Sequence, residues 1–234
     1  MERLDKTIAN FRGLTRKEAH TAIRSGRVTV NGSRVSDPAA KVEHGRDAVS
    51  LDGVPVCSEK HVYLMMNKPA GVLSASRDPH AQTVVDLLPE SLYRKGLFPA
   101  GRLDKDTVGF VLLTDDGALA HRILSPRSHV PKVYLARLDK PADGEMQKLF
   151  AGGIRLADGT ECQPAELDIL EKAFVRITIR EGKYHQIKRM AAASGRTVEW
   201  LKRIRIGGVE LDETLQEGAS RALTGQEVQR LRNF

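Results

Sequence analysis

The sequence predicts a protein of mixed helices and strands, with a small first module ahead of a larger sheet-bearing domain. Three observations carry that expectation. Residues 1–57 read as helix, helix and hairpin, and residues 62–234 alternate short apolar strands with amphipathic helices. The composition, 41% hydrophobic and 29% charged over 234 residues, supports a folded core without an apolar run of membrane length.

In the first module Leu4, Ile8 and Phe11 have helical spacing. Thr15-x-x-Glu18 is a capping box that opens a second helix carrying Ala19, Ala22 and Ile23. Gly26 suits the position just past that helix, where the backbone turns left-handed. Arg27–Val30 alternates as a strand, Asn31-Gly32 is a type I′ hairpin signal, and Ser33–Val35 returns until Asp37-Pro38. Residues 56–61, after the turn Asp52-Gly53, read as a short junction without a Gly/Ser repeat.

Beyond the junction, strands are expected at 62–67, 109–114, 132–138, 166–171, 173–180 and 198–206. Helices are expected near 83–88, 116–124, 142–150, 184–194 and 225–232, the last opened by the capping box Thr224-x-x-Glu227. Val175, Ile177 and Ile179 alternate with Arg176, Thr178 and Arg180, which predicts a sheet with one packed and one basic face.

Several function classes are excluded early. Cys57 and Cys162 offer neither ligand spacing nor a disulfide framework, and the seven histidines form no H-E-x-x-H or Cys/His cluster, so no metal is expected. No phosphate-cradling G-x-x-x-x-G-K-[ST] and no strand-linked G-x-G-x-x-G is present, so no cofactor is expected either. Met1–Lys6 lacks an apolar signal region, so the chain is expected in the cytoplasm with no membrane partner. An enzyme built this way runs on side-chain chemistry alone.

The formal charge of +7 is unevenly spread. Residues 172–206 hold ten Lys/Arg against Glu181 and Glu199, so this stretch carries +8 and the remainder −1. Such concentration marks an electrostatic footprint for a polyanion, against the plainer alternative of a solvated face.

The most informative segment is Gly101-Arg102-Leu103-Asp104-Lys105-Asp106-Thr107-Val108-Gly109, followed by the apolar run 110–113. A carboxylate in a Gly-bounded loop beside Arg102 and Lys105 is kept ionised, as a nucleophile or base requires. A lone R-x-D would more simply cap a turn. Asp106, Asp115 and Asp116 read as turn and cap residues.

The loop resembles the signature of the pseudouridine synthases, in particular the ribosomal small-subunit pseudouridine synthase A family. Asn67-Lys68-Pro69-Ala70-Gly71 is similar to its N-K-P-x-G motif, Lys132-Val133-Tyr134 to K-x-Y, and Glu181–Met190 to E-G-x-Y-H-Q-[VI]-K-R-M. Thr114–Gly117 and Ser125–Arg127 also resemble the group, and the match spans most of 62–211. The first module resembles the RNA-binding module shared with ribosomal protein S-four.

The resemblance implies an α+β fold with a mixed, largely antiparallel sheet, flanking helices and a central cleft. It implies domains at 1–57 (RNA binding) and 62–234 (catalysis). Asp104 becomes the catalytic carboxylate, Tyr134 the ring that stacks on a flipped base, and Lys188 the cation that pairs with Asp104. Arg16, Lys17, Arg24, Arg27 and Arg34 are the expected RNA contacts of the first module; Arg102 and Arg189 are those near the loop. The implied reaction is uridine-to-pseudouridine isomerisation in 16S small-subunit rRNA, at about position 516, naked or within an assembling particle, by a monomer. Two alternatives stand beside it: a synthase for 23S large-subunit rRNA, and a non-catalytic RNA-binding assembly factor.

Overall fold

The computed structural model describes residues 1–11, 14–43, 45–56 and 61–234. Most of the expected junction, residues 57–60 with Cys57, lies outside the described residues. The chain divides into two compact units, one comprising Met1–Val62 with Leu88–Leu97, the other Tyr63–Leu87 with Phe98–Phe234. The return of 88–97 to the first unit has no counterpart in the sequence pattern.

In the first unit, α1 (Leu4–Phe11) and α2 (Arg16–Arg24) precede β1 (Val28–Val30), β2 (Ser33–Arg34), β3 (Val49–Leu51) and β4 (Val54–Val56). The Thr15 side chain accepts from the Glu18 amide and the Glu18 carboxylate accepts from the Thr15 amide, a closed box worth about 1 kcal/mol to the helix. Asn31 and Gly32 both have positive φ, as a type I′ turn demands, and they join β1 to β2 in a sheet ordered β2-β1-β3-β4. Leu4, Ile8, Ala19, Ile23 and Val28 meet in its core.

The second unit is built on one mixed sheet. Its main strands are β5 (Tyr63–Lys68), β6 (Val108–Thr114), β7 (Lys132–Leu138), β8 (Glu166–Glu171), β9 (Phe174–Ile179), β10 (Val198–Ile206) and β11 (Ser220–Ala222). They run in the order β8-β9-β7-β10-β6-β5-β11. All of these pairings are antiparallel except β6 with β10, registered at Lys202–Val108 and Arg203–Gly109. Gly109 is required at that joint: it has φ +99°, and a Cβ there would lie 2.3 Å from the Arg203 carbonyl. Every residue of β5 and β6 is buried, so the apolar run 110–113 lies in the core. Helices α3 (Gly117–Leu124), α4 (Gly144–Gly152), α5 (Gln186–Ala193) and α6 (Gly225–Arg232) complete the unit. Among the described residues no helix is long and apolar enough to cross a membrane.

Three expectations need correction. Residues 83–88 form a turn, because the Asp86 carboxylate accepts both the amide and the hydroxyl of Thr83 and closes a single turn that nothing extends. The helix expected from 184 begins at Gln186, since His185 is left-handed at φ 48°, ψ 33°. The exposed face of the sheet is not basic: Arg176, Lys202 and Arg205 share a groove with Glu166, Asp168, Glu210 and Glu213. Asp168 sits opposite Arg176 in register, and alternation along one strand could not show what its neighbour contributes.

Candidate active site

The loop carrying Asp104 is fixed from below. The Thr107 amide donates to the Asp104 carbonyl at 3.1 Å, which closes the turn that aims the carboxylate. Ser74 brackets the preceding residue: its hydroxyl accepts from the Leu103 amide and donates to the Leu103 carbonyl. Lys68, the lysine of the N-K-P segment, is fully buried and donates to the carbonyls of Pro69, Lys105 and Thr107 at 2.8–3.1 Å. Its three ammonium hydrogens match three acceptors, so the lysine knots the end of β5 to the Asp104 loop. Burial nevertheless pushes Lys68 down to about 8.

Above the loop, Lys188 on α5 lies 3.2 Å from one Asp104 oxygen and His185 Nε2 lies 3.4 Å from the other. Lys188 also meets Asp106 at 2.6 Å, the shorter of its two contacts. Asp106, expected as a turn residue, therefore shares the lysine. Burial works against the Lys188 charge, but its hydrogen bonds to Asp106 and Asp104 outweigh that and raise its pKa. The same bond to Lys188 holds Asp106 below the usual carboxylate range, against the opposing effect of burial. The Asp104 side chain keeps about a quarter of its surface (26%), enough to be reached from a cavity of about 80 Å³. Arg102, Thr107, Tyr134, His185 and Lys188 line that cavity with Asp104.

Tyr134 reaches the cavity through an irregularity. The pairing of β7 with β10 shifts register between Val133 and Tyr134, opposite Arg205 and Arg203. Tyr134 is then buried, and its hydroxyl lies 3.5 Å from Nη1 of Arg203, whose guanidinium stands 6.0 Å from the ring centroid. Arg203 is itself buried and donates from Nε to the Phe110 carbonyl at 2.8 Å.

The Glu181–Gln186 loop explains much of its motif. The buried Glu181 carboxylate accepts from the Gln163 amide at 2.9 Å and from Gln186 Nε2 at 2.7 Å, while Gln186 Oε1 accepts from the Lys183 amide at 3.0 Å. This clamp sets the start of α5 and hence the reach of Lys188.

The structure thus brings Asp104, Tyr134, Lys188 and Arg102 to one cavity. Arg189 does not line it; it pairs with Asp158 and donates to the Tyr184 carbonyl. In the first unit Arg16, Lys17 and Arg24 line one open depression of about 560 Å³ with Arg3, Asp5 and His20. Arg27 is elsewhere, paired with Asp52, and Arg34 is exposed but outside that depression. Lys68, Ser74, His185 and Arg203 had no site role in the sequence reading. A lysine ending a buried, mostly apolar strand and an arginine at an inward position of β10 were the available signals for Lys68 and Arg203.

Comparison with known proteins bears on these motifs. The RNA pseudouridylate synthase family matches residues 62–193, and the S4 domain matches residues 2–47. The chain belongs to the RNA pseudouridylate synthase family. It is 44% identical over 228 residues to ribosomal small subunit pseudouridine synthase A of Escherichia coli (strain K12), covering 97% of this chain and 98% of that protein. It is also 44% identical over 230 residues to an uncharacterized RNA pseudouridine synthase, YtzG, of Bacillus subtilis (strain 168), covering 97% and 96%. A crystal structure of a pseudouridylate synthase superposes with a TM-score of 0.70 at 41% identity, covering 99% of this chain and all of that one. This pseudouridine synthase, an isomerase, therefore has the α+β fold with a mixed, largely antiparallel sheet and an amino-terminal S4 domain.

Proposed function

We propose that this synthase isomerises one uridine of small-subunit ribosomal RNA, acting in the cytoplasm as a monomer on naked RNA or an assembling particle. The observation that carries the reading is the Asp104 carboxylate, set between Lys188 and His185 beside the Tyr134 cavity. The 44% identity to relatives named for small-subunit rRNA supports the substrate.

Isomerisation breaks the N1–C1′ bond, turns the uracil and forms C5–C1′. The C5 proton leaves and N1 gains one, so no atom is gained or lost overall. Asp104 supplies the nucleophile or base that opens the glycosidic bond, and Lys188 keeps its charge balanced. The target must leave its stack to reach this depth; Tyr134 then holds the flipped base, while Arg102 at the rim takes the emptied space or a phosphate. Residues 1–57 serve recognition through Arg16, Lys17 and Arg24, with Arg27 and Arg34 as further contacts. With ten Lys/Arg against seven acids, their net charge of +3 suits placed contacts to folded RNA better than bulk attraction.

The test is a deletion strain complemented with wild type or Asp104→Asn, its rRNA mapped with a chemical probe for pseudouridine. Wild type restores one small-subunit site. Asp104→Asn, homogeneous and free of deamidation, restores none, with single-turnover rates down by about 10³-fold or more and RNA affinity nearly unchanged. A site restored in large-subunit rRNA instead would sink the substrate assignment, and turnover by Asp104→Asn would sink the catalytic one.

A further inference from the structure

The motif loop carries an aromatic side chain that the chemistry above leaves unused. Tyr184 is 75% exposed, far beyond Trp200 at 37% or Tyr93 at 37%. Its ring is stacked on His185, with centroids 3.8 Å apart and planes within 19°. His185 lines the catalytic cavity and reaches Asp104, whereas Tyr184 is outside the cavity lining. The pair therefore steps from the carboxylate outward to solvent.

The exposure does not come from a loose loop. Glu181 and Gln186 clamp the segment on both sides of Tyr184, and the Gln186 amide donates to the Lys183 carbonyl at 3.1 Å. The Tyr184 carbonyl accepts from Arg189 at 3.4 Å, and His185 is held left-handed, an uncommon conformation for a non-glycine residue. A large ring fixed in water, one face covered and the other free, is a surface built for an occupant.

We propose that Tyr184, backed by His185, is the stacking platform for the nucleobase next to the uridine that enters the cavity. Flipping one nucleotide strips its neighbour of a stacking partner, which costs a few kcal/mol. An aromatic ring held beside the cavity returns about 1–3 kcal/mol of that, roughly a 5- to 150-fold effect on binding. The platform makes the enzyme read an unpaired neighbour as well as the uridine, and so favours loops over duplex RNA.

The inference rests on the proposed function, and the test separates the two. A short RNA carrying the target is prepared intact, with an abasic residue immediately 5′ or 3′ of the uridine, and with one three positions away. Tyr184→Ala is expected to raise the RNA concentration for half-maximal single-turnover rate by roughly 5- to 50-fold and to leave the saturating rate within about twofold. Tyr184→Phe and Tyr184→Trp should behave as wild type. An abasic residue at one adjacent position should erase the difference between wild type and Tyr184→Ala, while the distant one should not. If wild type makes no pseudouridine in any RNA, the proposed function fails. If wild type is active but Tyr184→Ala matches it, or the two losses simply add, or the loss falls on the saturating rate, the platform is wrong.

Discussion

The Asp104 cavity and the basic depression of the first unit hold their charges in opposite ways. Around Asp104 the two lysines have fixed partners: Lys188 bridges two carboxylates and Lys68 spends all three hydrogens on backbone carbonyls. In the depression Arg16, Lys17 and Arg24 are exposed, and one buried acid, Asp5, is gripped by Arg3 through two bonds and by His20 at 2.8 Å. Arg3 above all, with His20, holds the Asp5 carboxyl far below its usual range against the cost of burial. Under the proposed function the first arrangement fixes one atom for a reaction, and the second spreads charge over a surface proposed to meet phosphates. Position serves catalysis, and field serves affinity.

Removing Lys188 should break that contrast most visibly. Lys188→Ala leaves Asp104 and Asp106 facing each other without their cation, and should lower the single-turnover rate by about 10²-fold while hardly changing the salt dependence of RNA binding. A flattened salt slope with an intact rate would make Lys188 a phosphate contact instead. Next comes the opposite manipulation. Neutralising Arg16, Lys17 and Arg24 together should weaken binding about tenfold or more and reduce the salt slope by roughly one per residue, with the saturating rate unchanged. Binding titrations from low to moderate salt decide it.

Stability sharpens the comparison further. Lys68→Met takes a donor from the carbonyls of Pro69, Lys105 and Thr107, of which Lys105 keeps the Gly71 amide, and should cost about 2 kcal/mol in denaturant unfolding. The pH dependence has a definite sign. In the fold Lys68 titrates near 8 and in the unfolded chain near its ordinary 10.5, so between these values the unfolded state binds the extra proton. Stability from this group therefore rises with pH across that window, and the gap between wild type and Lys68→Met should widen there. Lys132, also lowered to about 8, by burial first and then by Arg203, is present in both proteins and cancels. The smallest effect is expected at Thr107. Its hydroxyl is buried and has no hydrogen-bond partner among the described residues, so Thr107→Val should leave the melting temperature unchanged or slightly raised, by calorimetry. A clear drop would reveal a partner for that hydroxyl.

Local chemistry was legible in the sequence wherever the signal is local. The capping boxes at Thr15 and Thr224, the Asn31-Gly32 turn and the 132–138 strand all follow from residues within a few positions of one another. The resemblance placed Asp104, Tyr134 and Lys188 in motifs, and the fold brings them together around one cavity. What stayed hidden depends on distant partners. Lys188 and Asp106 are 82 positions apart, so no pattern reveals that they share a bond. The Lys68 knot and the Tyr134 register shift arise from strand neighbours that periodicity does not identify. At 83–88 the apolar spacing imitates a helix, yet a single Asp86–Thr83 contact decides for a turn.

The parallel joint between β6 and β10 is a seam through the candidate catalytic centre. It is registered at two residue pairs, whereas β5 and β6 are registered at six. Asp104 lies just before β6 on one side of it, while Tyr134 on β7 and Lys188 between β9 and β10 belong to the other. Thermal opening of that seam should part the carboxylate from its ring and its cation before the rest of the sheet comes undone, a loss that activity followed against temperature below the melting transition would show. Heat should therefore silence this enzyme below its melting point, and cooling should restore it, with Gly109 and the Arg203–Phe110 bond as the stitches that set the margin.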